Sequence, residues 1–105
     1  MSSANRALED LERLYRLTEQ AMERLKAGDL ETMIGTESER RELMATIAWE
    51  SLKGDRSALK KLQELVALDT ELRQAATAVR DTLGQRLAKL RRGNSAVGVY
   101  NRIDG

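Results

Sequence analysis

The sequence predicts an all-α protein, namely an antiparallel three-helix bundle with a long third helix and a short C-terminal tail helix. Hydrophobic residues make up 41% of the 105 residues and charged residues 33%, with no proline. The dominant residues, Ala, Leu, Glu, Arg and Lys, all favour helices. Two Gly-Asp dipeptides, at 28–29 and 54–55, each place a helix-ending glycine before a good N-cap. They divide the chain into three helical stretches and a tail.

The first helix is predicted over about residues 4–27 because its apolar residues recur at alternating steps of three and four, which indicates one buried face. The second is predicted over about 30–53. Its ends are apolar but its middle, residues 36–42, is wholly polar. Some of these polar residues must therefore lie on or beside the buried face. We expect Trp49 and Tyr15 to lie in the core.

The third helix is predicted over about residues 56–92, with an apolar seam of coiled-coil spacing that begins at Leu62. Residues 1–93 would form the bundle domain and residues 94–105 a short tail or regulatory helix. At 1.5 Å per residue, the third helix is longer than its two neighbours by about 18 Å. Its last part would then lack a covering helix. This predicts a groove for an amphipathic helix, formed by Leu72, Ala76, Val79, Leu83, Leu87 and Leu90.

The tail carries enough apolar residues to compete for the same groove, which makes it a candidate regulatory segment. These residues are Val97, Val99, Tyr100 and Ile103.

Charged residues near this seam suggest polar contacts. Asp69 interrupts the seam, and a buried carboxylate is costly unless paired. It would pair with Arg73 or with Arg40 or Arg41, or instead set register or contact a partner. A basic cluster ends the third helix, and it fits a solvated helix end, an acidic partner or, last, nucleic acid. It consists of Arg86, Lys89, Arg91 and Arg92.

The composition argues against an enzyme or a metalloprotein. The chain has no His and no Cys, which removes the usual general base, the thiol nucleophile and the preferred zinc ligands. No catalytic or phosphate-binding motif is present, so we expect no cofactor. No apolar run approaches the roughly 20 residues of a membrane helix, and we expect no Sec-type signal peptide, because the N-terminus lacks a basic region followed by an apolar stretch. These features predict a cytoplasmic binding protein without membrane insertion.

Four segments resemble the flagellar export chaperone FliT family. The first three are residues 28–34, 39–44 and 68–73. The fourth, residues 87–100, matches the ending of that family, "L..LR.G..A...Y". The resemblance spans nearly the whole chain and departs from the family at Leu30, where a Trp is often found.

The resemblance implies a small cytoplasmic helical protein that binds the flagellar filament-cap protein before export. It also implies delivery to the type III export apparatus with its ATPase complex and, in some bacteria, restraint of a flagellar transcription regulator. The family's last helix regulates access to the client site, a role that falls here on about residues 95–103. Two alternatives stay open: a chaperone of hook–filament junction proteins, as in the sister family FlgN, and a structural helical homodimer or adaptor.

Overall fold

A computed structural model describes the backbone of residues 3–104 and the side chains of residues 4–93. Three α-helices follow one another: α1 (Ser3–Lys26), α2 (Leu30–Thr46) and α3 (Arg56–Asp104). A short 3-10 helix, η1 (Trp49–Leu52), lies between α2 and α3. The described backbone contains no strand, so the all-α prediction is confirmed.

Both Gly-Asp dipeptides act as helix boundaries. Gly28 and Gly54 have φ values of +76° and +81°, which side chains with a Cβ rarely adopt. The aspartates that follow cap the next helix. Asp29 accepts a hydrogen bond from the Thr32 backbone N–H at 3.3 Å, and Asp55 accepts one from that of Ala58 at 3.1 Å. The predicted starts of α2 and α3 are therefore confirmed.

The second helix ends seven residues earlier than predicted. We expected it to reach Lys53, but α2 ends at Thr46 and Ile47 is extended, with ψ of 132°. This extended residue turns its side chain into the core, where it is 5% exposed. The indole N–H of Trp49 donates to the Met44 carbonyl oxygen at 3.1 Å and satisfies one acceptor that the interrupted helix leaves free.

The chain comprises two compact units, residues 1–75 and 76–105. The first unit holds a core to which all three helices of the chain contribute. Its centre is formed by Leu11, Leu14, Ile47, Ala58 and Leu65. The predicted apolar face of α1 is buried here, and Thr18, its one polar member, donates its hydroxyl to the Leu14 carbonyl oxygen at 2.9 Å. Tyr15 is half-buried against this core, as expected.

The predicted long third helix is present, but a separate tail helix is not confirmed. We expected the third helix to end near Arg92, whereas α3 continues to Asp104. Gly93 does not take the positive φ that ends α1 at Gly28. A glycine that keeps helical φ costs about 1 kcal/mol relative to alanine but retains its backbone hydrogen bond, so it does not by itself stop a helix.

Candidate functional site

The second unit carries a row of exposed leucines on α3. Leu83, Leu87 and Leu90 are 47%, 49% and 65% exposed. Two of them continue a strict seven-residue repeat that runs through residues 62, 69, 76, 83 and 90. Because a seven-residue step returns nearly to the same side of a helix, Ala76, Leu83 and Leu90 lie close to one face of the second unit. We call the part of this face formed by Ala76, Val79, Leu83, Leu87 and Leu90 the seam.

The seam is less exposed at its start than at its end. Ala76 and Val79 are half-buried, whereas every described residue from 81 to 93 is exposed. Leu72, which we predicted to contact a client, is only 4% exposed and belongs to the interior of the first unit. The structure thus separates Leu72 from the other five predicted residues. The four predicted tail residues, Val97, Val99, Tyr100 and Ile103, lie outside the described side chains.

Basic side chains accompany the seam. Residues 76–93 contain five cationic residues and one acidic residue, Asp81. None of these cations forms an ion pair with another residue whose side chain is described. They are Arg80, Arg86, Lys89, Arg91 and Arg92. An apolar face bordered by unpaired cations suits an amphipathic helix with acidic flanks.

A polar cluster in the first unit accounts for other predicted contact residues. Nη1 of Arg40 lies 2.8 Å from Oδ1 of Asp69, and Nε of Arg40 lies 3.0 Å from Oε1 of Glu37. Nε of Arg73 lies 3.0 Å from the other Asp69 oxygen, Oδ2. The predicted pairing of Asp69 with Arg40 or Arg73 is confirmed, and both contacts occur. Arg40 is 7% exposed, so its charge is neutralised inside the unit, whereas Arg41 is exposed.

Asp69 is held by charge more than by directed hydrogen bonds. Its Oδ1 is buried and accepts no hydrogen bond from the described residues, although the Arg40 guanidinium is close. The contact is therefore an ion pair without good donor alignment. This ion pair connects α3 to α2 through a buried contact, as expected if Asp69 pairs with an arginine of the same chain.

A second apolar site was missed by the sequence reasoning. Trp49 was expected in the core but is 39% exposed. It lines an open cavity of 380 Å³ together with Leu52, Leu59 and Leu62. The signal in the sequence was the pair Leu59 and Val66, which are seven residues apart but off the seam, and which are exposed in the structure.

The described residues form apolar and charged surfaces. Among them, no group of three or more potential ligands converges in a way that could hold a metal ion. No helix in the described part of the chain is both long and apolar enough to cross a membrane. What the arrangement can do chemically is bury an apolar partner face and pair with its acidic groups.

Comparison with known proteins gives one family match. The model of the family described as "Flagellar protein FliT" matches residues 8–102. No curated protein and no solved structure matches the chain.

Proposed function

We infer the function of this chain from one premise: it belongs to the FliT family, whose members are flagellar export chaperones. We propose that its client is the flagellar filament-cap protein. In this proposal the chain binds an amphipathic helical segment of the client in the cytoplasm, keeps it unassembled and delivers it to the export apparatus. The export ATPase complex and a flagellar transcription regulator are further proposed partners, which the family resemblance suggests.

The exposure of Leu83, Leu87 and Leu90 carries this proposal. Three leucines on one helix face are an unusual feature for a monomer to leave in water. Fully burying an exposed leucine contributes roughly 1.5–3 kcal/mol, and covering the remaining half of each of these would contribute about half of that before the costs of ordering and association. An amphipathic client helix supplies the matching apolar positions, and Arg86 and Lys89 are available for its acidic flanks.

The seam can be tested by a single charged substitution. We expect Leu83→Asp to weaken binding of a C-terminal segment of the filament-cap protein by at least about tenfold, because it removes an apolar contact and places a charge against the apolar face of the client. Isothermal titration calorimetry measures the affinity. Leu59→Asp is the matched control, since Leu59 is also an exposed leucine of α3 but lies outside the seam. Equal affinities of wild type and Leu83→Asp would remove the proposed site.

The two alternatives have separate signatures. Preferential binding of a hook–filament junction protein over the cap protein would reassign the client while keeping the seam. Self-pairing through the seam would appear in sedimentation equilibrium as a dimer that Leu83→Asp dissociates. A stable dimer that is unaffected by Leu83→Asp would exclude self-pairing at this face.

A further inference from the structure

The first unit has an apolar cavity that the proposed client site does not use. Its wall is formed by the aromatic ring of Trp49 on η1 and by leucines 52, 59 and 62, with Ala58 among its lining residues. Its volume of 380 Å³ falls within the roughly 300–1,000 Å³ range of ligand pockets. The cavity shares no residue with the seam, which begins at Ala76, although Leu62 belongs to the same seven-residue repeat. It therefore constitutes a separate place for an apolar partner group.

The cavity is the end of a longer apolar stripe. Leu59 and Val66 are 56% and 58% exposed, and Leu62 lies between them on the same side of α3. The spacing of three and then four residues extends the stripe over about 10 Å of helix. A stripe of this length and spacing fits the apolar side chains of a second helix. A small molecule that filled the cavity would leave Val66 uncovered, because Val66 does not line the cavity.

Unpaired cations mark the edge of the stripe. Arg56 lines the cavity and Lys60 follows one helical turn later, so that the two border Leu59. Both are exposed, and neither forms an ion pair with a residue in the described part of the chain. Lys53 also lines the cavity but is already engaged, with its Nζ 2.8 Å from Glu50 Oε2. Asp55 also lines the cavity, but its carboxylate already accepts the hydrogen bond from the Ala58 backbone N–H at the start of α3.

We propose that this cavity and stripe dock an acidic amphipathic helix of a second protein partner. Apolar side chains of that helix would enter the cavity beside Trp49 and cover Leu59 and Val66. Its carboxylates would pair with Arg56 and Lys60. The chain would then have two binding surfaces on α3, one for the proposed client and one for a different, acidic partner.

Trp49 provides the readout, because it is the only tryptophan in the chain. The probe is a hydrocarbon-stapled helical peptide of 16 residues without tryptophan, with leucines at helical spacing and glutamates on both flanks. A twin peptide carries lysine in place of each glutamate. We expect the glutamate peptide to shift Trp49 emission to the blue in a saturable way, as the ring leaves water. We expect the lysine twin to bind at least about tenfold more weakly.

Substitutions at exposed positions separate this site from the seam. Leu59→Asp should weaken binding of the glutamate peptide by at least about tenfold. Leu83→Asp should leave the affinity measured through Trp49 emission unchanged. The double charge reversal Arg56→Glu with Lys60→Glu should invert the preference, so that the lysine twin binds more tightly than the glutamate peptide. Because Leu83→Asp alone tests the seam, a failure here is distinguishable from a failure of the proposed client site.

Three results would overturn the proposal. The first is an absence of any saturable change in Trp49 emission with the glutamate peptide in the intact protein. The second is equal affinity for the two peptides, which would show that the site does not prefer an acidic partner. The third is a dimer in sedimentation equilibrium that Leu59→Asp dissociates, since a second copy of this chain would then occupy the stripe.

Discussion

Arg40 shows how a polar residue can occupy a buried position between helices. The middle of α2 turns Thr36 and Arg40 inward, where they are buried. The guanidinium of Arg24 donates a hydrogen bond to the Thr36 hydroxyl, so α1 also reaches this polar region. Removing the Arg40 side chain would leave the largely buried Asp69 with only the exposed Arg73 as its ionic partner. The contribution of Arg40 to stability is therefore best tested by breaking the pair.

We expect Arg40→Ala to lower the free energy of unfolding by about 2 kcal/mol. The loss of one partner from a fully buried pair costs roughly 3–5 kcal/mol, and the value here is smaller because Asp69 and Glu37 remain partly exposed to water. Urea denaturation followed by circular dichroism measures the difference. Arg41→Ala is the matched control, since its exposed neighbouring side chain should change stability by less than about 0.5 kcal/mol. Equal losses for the two variants would contradict this account.

The sequence predicted the ionic partner of Asp69 correctly, but it predicted the burial of Trp49 incorrectly. Asp69 could be assigned a cationic partner because it interrupts an apolar repeat, and a buried carboxylate needs compensation. Trp49 could not be placed correctly from its hydrophobicity. Its position depends on the chain leaving the helix at Ile47, and the sequence carries no Pro or Gly there to announce the change. The cavity beside Trp49 was missed for the same reason.

Among the elements, boundaries at glycine were predictable and the others were not. The Gly-Asp dipeptides gave the starts of α2 and α3 because a positive φ and a capping carboxylate act locally. The early end of α2 depends instead on the burial of Ile47 in a core shared with α1 and α3, which is a tertiary effect. The continuation of α3 past Gly93 was not predicted, because a glycine ends a helix only where it takes a positive φ, and the sequence alone does not give the φ of Gly93.

Alanine substitutions distinguish the two kinds of glycine. We expect Gly28→Ala to destabilise the protein by about 1–2 kcal/mol, because a Cβ disfavours the left-handed conformation found there. We expect Gly35→Ala to stabilise it by up to about 1 kcal/mol, because that glycine lies inside α2 with no atom within 4 Å of an added Cβ. Thermal denaturation compares the variants. The idea would be abandoned if both substitutions changed stability in the same direction.

Across the whole molecule, burial is confined to one part of the chain. Every buried apolar side chain among those described lies between Ala7 and Leu72, within the first unit. The described side chains from residue 81 onward are all exposed. The hydrophobic contribution to folding therefore comes from the first unit, and the seam is available for a partner.

A fragment that ends at Val79 should keep the stability of the full chain. We expect the free energies of unfolding to agree within about 1 kcal/mol, because helical residues without buried contacts open at little cost. Urea denaturation of the fragment and the full chain measures this. A much less stable fragment would mean that residues after Val79 support the first unit.

Removal of the residues after Gly93 should raise affinity for the filament-cap segment. This follows from the proposed regulatory role of the tail residues: they reach the seam when α3 opens at Gly93, and their removal would relieve that competition. We expect at least a severalfold tighter dissociation constant in isothermal titration calorimetry. The control for chain length is a full-length variant in which the four apolar tail residues are replaced by serine, so that the length and charge of the tail are kept. Unchanged or weaker binding by both variants would argue against an autoinhibitory tail.

Because Leu72 is the last buried apolar residue among those described, substitutions before and after it should have different effects in a mutational screen. A screen for protein abundance would respond to substitutions in codons 7–72 and register little at Leu83, Leu87 or Leu90. A screen for swimming would respond to both regions. Variants that remain abundant in the cell yet abolish motility should therefore map to the exposed leucines.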